Sequence, residues 1–375
     1  MRDRIAILIP RLAIPGMQLG GAERVAIRLA NGLAASGVPT DLVVFSSKSL
    51  LQDEISQLVN LVDLNATNWL VALLKLKNYI CRKTPLVILA QDNRAAIFTV
   101  LARKLAKQPA TKIIVTIHAT LSQRWNEISI LRRSLKRKIV RPFLLQTDAI
   151  VAVSKGAAED LVSLLRLPQD HVRIIYNPVI SEDLFVRAKE KPALPWFDTN
   201  DPPVVLGVGR LVWEKDFETL LKAFALVRKK RVARLVILGE GGLREPLQRL
   251  AKELSIQQDV LMPGVVKNPF PYIARAAVFV LSSVWEGLPT VLIEALALGT
   301  PIVSTDCPSG PAEILENGKW GRLVPPRDPQ AMAEAILQTL EEPRKLIPPE
   351  VWKRFAVEEN VKLYLALISN IVRKA

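Results

Sequence analysis

Short apolar runs alternate along the chain with longer segments whose apolar residues recur at helical spacing. Residues 4 to 9 form the first such run and end at Pro10; beyond a glycine-bearing loop, 22 to 35 carry a helical pattern that stops before Gly37. The order is strand, loop, helix. Runs at 41 to 45, 86 to 90, 112 to 117 and 149 to 153 repeat it, each followed by a more polar or helical segment. Continuous apolar strands separated by helices are buried on both faces, so the pattern predicts a mostly parallel sheet with helices covering both sides.

The alternation pauses at 187 to 203, a proline-rich stretch with charged and turn-forming residues, and this is the expected linker. It restarts with strands at Val204 to Val208 and Leu235 to Leu238 and helices over 216 to 229 and 243 to 254. Strands at 277 to 281 and 301 to 304 follow, with a helix over 290 to 298 between them. The expectation is an α/β chain of two Rossmann-like domains, 1 to 186 and 204 to 350, facing across a cleft at the carboxyl ends of their strands. A last helical pattern over 351 to 375 either packs back on the first domain or caps only its own.

With 375 residues, half of them apolar, the chain has enough for two ordinary cores. Lys and Arg number 51 against 36 Asp and Glu, a formal charge of +15. That excess suits an anionic partner without choosing among nucleotide, nucleic acid and acidic lipid. Cys81 and Cys307 show no metal-ligand spacing, and a chain of this size needs no disulfide, so a reducing, cytoplasmic setting is expected. The apolar start is too short for a convincing signal peptide. The longest apolar stretches fall short of the roughly 20 residues that span a bilayer.

The most informative segment, Leu281 to Gly299, reads LSSVWEGLPTVLIEALALG. An apolar strand ends at Ser282 and Ser283, a turn carries Glu286, Gly287 and Pro289, and a helix begins near Pro289 or Thr290. Its first N–H groups and positive end suit a diphosphate. Glu286 before the helix and Glu294 inside it suit hydroxyl recognition; as alternatives, Glu286 is a solvated turn residue and Glu294 a helix-surface charge. The apolar neighbours Ile293, Ala295 and Leu296 make an unpaired carboxylate at 294 costly. Upstream, GVGRLVWEK places Arg210 after a strand and Lys215 before a helix, a fork and a point charge able to stabilise a leaving diphosphate.

These segments resemble the retaining glycosyltransferases of family four, which share the two-domain GT-B fold. The resemblance rests on Glu286 and Glu294 with Gly287, Leu288, Pro289 and the Glu-Ala-Leu-Ala-Leu-Gly run. It extends to Gly209, Arg210, Leu211 and Lys215, to Gly239 to Gly241, to Pro263 to Val266 and to Pro301 to Val303. It implies that Glu286 engages donor-sugar hydroxyls, Glu294 the ribose, and Arg210 with Lys215 the diphosphate. The backbone at Leu288, Pro289 and Thr290 would bind the distal phosphate, and Val266 and Lys267 would lie beside the base. It further implies a nucleotide diphosphate sugar donor, UDP being common in the family, retention by front-face attack, no cofactor and no bound metal.

In the first half, GMQLGGAER (16 to 24) joins strand to helix, and Gly20 and Gly21 can adopt positive φ and admit a ligand close to the backbone. It lacks the Gly-x-Gly-x-x-Gly order and the Gly-Lys-Ser/Thr ending of the two commonest phosphate loops. The resemblance sets this loop towards the transferring group and a glycan or lipid-linked acceptor. His118 ends the strand IIVTIH at the expected cleft, as a capped strand-exit histidine or, as the resemblance implies, a contact to the donor sugar. His171 attracts no functional reading.

From 124 to 141, Arg124, Arg132, Arg133, Lys136, Arg137, Lys138 and Arg141 interleave with Leu131, Leu135, Ile139 and Val140. Either this is a solvated face over an apolar stripe, or Arg132, Arg133, Lys136 and Arg137 meet an anionic membrane or the acceptor, which places the enzyme peripherally on the inner face of the cell membrane. Cys307 is expected in a pocket wall or core, with no base to make it a nucleophile. Rival readings are a nucleotide-sugar epimerase or phosphorylase of the same fold, or a basic lipid-binding protein. Nucleic acid is disfavoured, since the basic residues lack aromatic interleaving and no recognition helix emerges.

Overall fold

The computed structural model describes residues 3–10, 20–46, 52–126, 128–197 and 202–373. The chain divides into two compact units, Met1–Pro178 with Phe355–Ala375, and Val179–Arg354. In unit 1 the described residues form a seven-stranded parallel sheet: β1 (Ile5–Ile9), β2 (Thr40–Val44), β3 (Asn60–Asp63), β4 (Val87–Ala90), β5 (Lys112–Ile117), β6 (Ala149–Ala152) and β7 (Val172–Ile174). Their order is β3-β2-β1-β4-β5-β6-β7. The inner strands are entirely or almost entirely buried, and apolar clusters cover each face, which is why they read as continuous apolar runs.

Unit 2 repeats the plan with six described strands: β8 (Val204–Val208), β9 (Arg234–Leu238), β10 (Val260–Gly264), β11 (Val278–Leu281), β12 (Ile302–Thr305) and β13 (Arg322–Val324), in the order β10-β9-β8-β11-β12-β13. In both sheets the order reverses beside the first strand, between β1 and β4 and between β8 and β11. Connections leave in opposite directions there, opening a crevice at the carboxyl ends of the strands.

The linker expected at 187–203 falls within unit 2, and the changeover lies at Pro178–Val179. Packing outweighs composition here. The helix Glu182–Ala188 lies against Phe270–Arg275, with the Arg187 guanidinium 5.1 Å from the Phe270 ring centre. Asn268 Nδ2 donates to the Arg187 carbonyl at 3.0 Å. Within the proline-rich stretch itself, Tyr272 Oη accepts from Ala193 N–H at 3.1 Å, and Phe197 meets the Tyr272 ring edge-on.

The terminal pattern expected as one segment over 351–375 is broken into helices Pro349–Lys353 and Val357–Arg373. Arg354 Nη2 donates to the Glu313 carbonyl in unit 2, whereas fully buried Phe355 stacks edge-on against Tyr176 in unit 1. The longer helix packs on the helix Gly21–Ala35. A Cβ at Gly32 would come within 2.7 Å of both Val357 and Val361, so glycine is what permits the approach. Tyr364 and Thr116 share a hydrogen bond at 3.0 Å beneath β5.

Candidate active site

In unit 2 the chain leaves β8 through Gly209 and Arg210. Gly209 N–H donates to the Leu238 carbonyl at 3.0 Å, Leu211 N–H to that of Glu240 at 2.8 Å, and Leu243 N–H to that of Leu211 at 3.0 Å. The two strand exits therefore lie backbone to backbone. At Gly239 the φ is +141°, and an added Cβ would sit 1.9 Å from the Gly209 carbonyl oxygen. No other residue fits, which explains the glycine physically.

The single-turn helix Trp213–Lys215 then aims Lys215 at Glu286. Lys215 Nζ donates to Glu286 Oε1 at 2.5 Å and Ser283 Oγ donates to the same oxygen at 2.6 Å. Ser282 Oγ fixes the lysine backbone by donating to the Lys215 carbonyl at 2.7 Å, and Val284 N–H donates to that of Glu214 at 2.9 Å. Glu286 is only 9% exposed, so its charge is balanced by a specific cation rather than by water. The solvated-turn alternative for Glu286 is thereby excluded. Arg210 is not part of this cluster: its side chain is 55% exposed and meets Glu214 at 3.4 Å.

Behind the glutamate, Glu286 N–H donates to the Pro308 carbonyl at 3.2 Å, Thr305 Oγ1 to that of Ser283 at 2.6 Å, and Ser309 Oγ to that of Gly287 at 2.8 Å. The exit of β12 is thus tied to the exit of β11. Cys307 lies in this wall, buried; desolvation, with Glu286 adding to it, pushes its thiol up to about 12, so it stays protonated. The helix Thr290–Ala297 follows with Pro289 as its N-cap and Leu288 buried. Glu294 is 4% exposed in the second turn, not a helix-surface charge. Val266 and Lys267 sit beyond edge strand β10, where the Lys267 carbonyl accepts from Arg187 Nη2 at 3.3 Å.

In unit 1, Gly20 is the N-cap of the helix Gly21–Ala35, with φ −85°. Neither Gly20 nor Gly21 has positive φ, which corrects the conformational reason expected for them. Gly20 N–H donates to Glu23 Oε2 at 2.9 Å, and a Cβ at Gly20 would meet that oxygen at the same distance. Room for the glutamate, not a left-handed turn, is what glycine supplies. Residues 16 to 19 of this loop lie outside the described residues.

His118 follows β5, next to the exit of β4. Its Nε2 lies 3.0 Å from Gln91 Oε1, and burial lowers its pKa to about 4, with Asn177 pulling weakly the other way. The imidazole is neutral at ordinary pH. His171 Nε2 lies 3.2 Å from the Leu144 carbonyl, a structural contact.

The helix Ile130–Leu144 buries only Val140 and Leu144. Ile130, Leu131, Leu135 and Ile139 are 83%, 81%, 58% and 47% exposed, so the apolar stripe is outside rather than beneath. Arg132 and Lys136 are exposed beside it, Arg133 and Arg137 partly buried, and Lys136 Nζ stands 5.8 Å over the Trp125 ring. Among the described residues no helix is long and apolar enough to cross a membrane.

Two family models cover most of the chain: Glycosyltransferase Family 4 over residues 19–183 and Glycosyl transferases group 1 over residues 191–356. The lipopolysaccharide core biosynthesis glycosyltransferase LpsE of Rhizobium meliloti is 31% identical over 329 residues, 85% of each chain. The chain belongs to glycosyltransferase family four.

A second relative is the N-acetylgalactosamine-N,N'-diacetylbacillosaminyl-diphospho-undecaprenol 4-alpha-N-acetylgalactosaminyltransferase of Campylobacter jejuni. It is 35% identical over 209 residues, 54% of this chain and 55% of that protein, so the alignment spans about half the length of this relative. Among solved structures, the lipopolysaccharide outer core galactosyltransferase WaaB in its apo form is 21% identical, with 98% of this chain and 99% of that one covered and a TM-score of 0.69. HepE of Anabaena, in complex with UDP, is 18% identical with 100% and 98% covered and a TM-score of 0.71. The fold is GT-B, as the family-four resemblance implies.

Among the family-four site residues singled out in the sequence, the structure joins Lys215 to Glu286 directly and keeps Arg210 apart on the rim. Two further polar residues lie in these clusters, Ser283 and Gln91, and Trp285 precedes Glu286 in the chain. Ser283 is the acid's second donor. The Trp285 indole N–H is buried with no acceptor among the described residues. Only Ser283 carried a sequence signal, its place at the end of an apolar strand.

Proposed function

We propose that the chain transfers a hexosyl or N-acetylhexosaminyl group, with retention of configuration, from a nucleotide diphosphate sugar to a lipid-linked glycan or polysaccharide precursor. The observation that carries this is the buried Lys215–Glu286–Ser283 cluster at the switch point of unit 2. A lysine fixed at a strand exit is placed to neutralise the charge that grows on a leaving diphosphate, and Arg210 on the rim adds a second cation. Glu286 accepts from donor-sugar hydroxyls, and Glu294 serves the ribose. The first turn after Pro289, with Leu288 and Thr290, receives the distal phosphate, while Val266 and Lys267 flank the base. Positive side chains in this role make a resident metal unnecessary.

The bond between the anomeric carbon and the diphosphate breaks with its electron pair leaving on the diphosphate. The acceptor hydroxyl oxygen bonds that carbon on the same face, and its proton passes to the departing phosphate oxygen. His118 contacts the donor sugar near this centre, and the Gly20–Gly21 turn serves the acceptor. UDP is the preferred carrier, in line with its being common in the family and with the UDP bound to HepE. A membrane-borne acceptor is supported by the activities of the two relatives, on a diphospho-undecaprenol-linked glycan and in lipopolysaccharide core biosynthesis. The exposed stripe of Ile130, Leu131, Leu135 and Ile139, flanked by Arg132, Arg133, Lys136 and Arg137, fits an anionic inner leaflet.

Protection against thermal unfolding by a panel of nucleoside diphosphates and nucleotide sugars, with chelator present, tests the donor site. One nucleotide series should raise the melting temperature saturably in the native chain and not in Glu294→Ala, because a ligand of the folded state alone adds apparent stability. Protection that survives Glu294→Ala would remove the ribose role, and a requirement for added metal would overturn the cation argument. Co-sedimentation with vesicles containing anionic lipid should be lost in Leu131→Asp with Leu135→Asp, and unchanged sedimentation would overturn the membrane reading.

A further inference from the structure

Both cations that the proposed transfer gives to the diphosphate are engaged by carboxylates of this chain. Lys215 meets Glu286 at 2.5 Å, and Arg210 meets Glu214 at 3.4 Å. The segment 210 to 216 carries two cations, Arg210 and Lys215, and two acids, Glu214 and Asp216. Asp216 is committed to capping: its carboxylate accepts from Thr219 N–H at 3.3 Å and from Thr219 Oγ1 at 2.7 Å, at the start of the helix Phe217–Lys230. What remains is two cations matched by two acids, Glu214 and Glu286. A diphosphate gains little from cations that are already neutralised, and each carboxylate left beside it repels it.

The two pairs are not built alike. Glu286 has a second donor, Ser283 Oγ at 2.6 Å, so it keeps a partner when Lys215 turns to a ligand. Glu214 is held at its main chain: Val284 N–H donates to its carbonyl at 2.9 Å, and Lys215 N–H donates to that of Val212 at 3.1 Å, closing the single turn around it. Its side chain is 17% exposed and stays where that turn puts it. Arg210 lies on the solvent side at 55% exposure, and its 3.4 Å contact is longer than the roughly 2.7–2.9 Å of a strong charged hydrogen bond. The rim pair is therefore loose, a fixed acid with a cation able to swing on a long stem.

We infer that Glu214 is a positioning residue that competes with the diphosphate for Arg210. It parks the guanidinium on the rim, gives it up when a nucleoside diphosphate group arrives and takes it back when that group leaves. The inference rests on the proposed role of Arg210 towards the diphosphate and adds to it an internal rival. A ligand that must first separate Arg210 from Glu214 binds less tightly by the strength of that pair. The same competition favours departure of the nucleoside diphosphate product, which two unopposed cations would retain.

A double-mutant cycle tests this, read by titration calorimetry of the full chain with UDP, and with GDP and ADP as alternatives. Glu214→Gln keeps the side-chain length and the main-chain bond from Val284, and an exposed pair adds little to stability, so its melting temperature without nucleotide should match the native one. Its Kd for the nucleotide that binds the native chain should be lower by about three- to fivefold, the strength of an exposed ion pair that no longer has to be broken. Arg210→Gln should weaken binding, and in that background most of the gain from Glu214→Gln should vanish, because no guanidinium is left to release. Equal tightening in both backgrounds would make Glu214 a bare repelling charge and overturn the competition. Unchanged or weaker binding in Glu214→Gln, with native binding intact, overturns it as well and leaves the donor site standing. If none of the three nucleotides bound the native chain, the donor reading itself would fall.

Discussion

The polar clusters at the switch points of the two sheets solve the same placement problem with opposite electrostatics. In unit 2, Glu286 is held by a lysine and a serine at 2.5 and 2.6 Å, a charged cluster whose members neutralise one another. In unit 1, His118 sits beside the Gln91 amide and is kept uncharged by burial. Charge is concentrated in the one cluster and withheld from the other. Removing a member should therefore be far costlier in unit 2, where a buried ion is stranded, than in unit 1, where a neutral ring loses one partner.

The sharpest way to break that contrast is Lys215→Met. Transfer should fall about 10³-fold, as for loss of a charge-stabilising group at a leaving oxygen, and urea unfolding should show a loss of about 3–5 kcal/mol from the stranded Glu286. A variant of ordinary stability would mean that water, not Lys215, balances the acid. Gly239→Ala attacks the scaffold of the same cluster. Its methyl would overlap the Gly209 carbonyl, so the denaturation midpoint should drop by an amount equivalent to about 3 kcal/mol or more, with donor protection lost in parallel.

In unit 1 the effect is smaller and depends on pH. His118 has its pKa lowered to about 4, so between that value and about 6.5 the unfolded ring binds a proton that the folded ring refuses. Stability is complete above about pH 6.5 and falls as pH drops towards 4. Native protein should lose about 1–2 kcal/mol more than His118→Gln between pH 7 and pH 5, and parallel pH profiles would show that the ring is not kept neutral. The smallest effect concerns Trp285. Replacing it with phenylalanine removes an indole N–H that has no acceptor, so stability should change by less than about 1 kcal/mol. A marked loss of nucleotide protection at unchanged melting temperature would show that this N–H meets the donor.

The inner strands were legible in the sequence because burial on both faces makes them unbroken apolar runs, as in Ile5–Ile9 and Val204–Val208. The edge strands β3, β7, β10 and β13 were not. Asn60–Asp63 is exposed at both ends with only two half-buried apolar residues between and reads as loop, and Val172–Ile174 and Arg322–Val324 are three residues each. The unit boundary was obscured because prolines signal turns, and a turn-rich stretch such as 192–197 can still be packed, here against Tyr272. Glu286, Glu294, Arg210 and Lys215 stood out as charges at strand exits and in an apolar helix. Gln91 did not, since an amide becomes informative only when its neighbour across the sheet is known. The meaning of Gly20 was likewise hidden, because its close neighbour is a side chain that folds back from position 23.

The helix Val357–Arg373 belongs to unit 1 although the whole of unit 2 precedes it in the chain. During synthesis, the apolar face of Gly21–Ala35 that receives Val357 and Val361 therefore waits uncovered until more than two hundred later residues have been made. Unit 2 has all its strands before that moment and is able to fold first. The same connectivity makes 179–354 an insertion with both ends in one host, bounded by Pro178 and Phe355. Exchanging that cassette between related enzymes would move the Lys215–Glu286 cluster without severing the helix that seals unit 1.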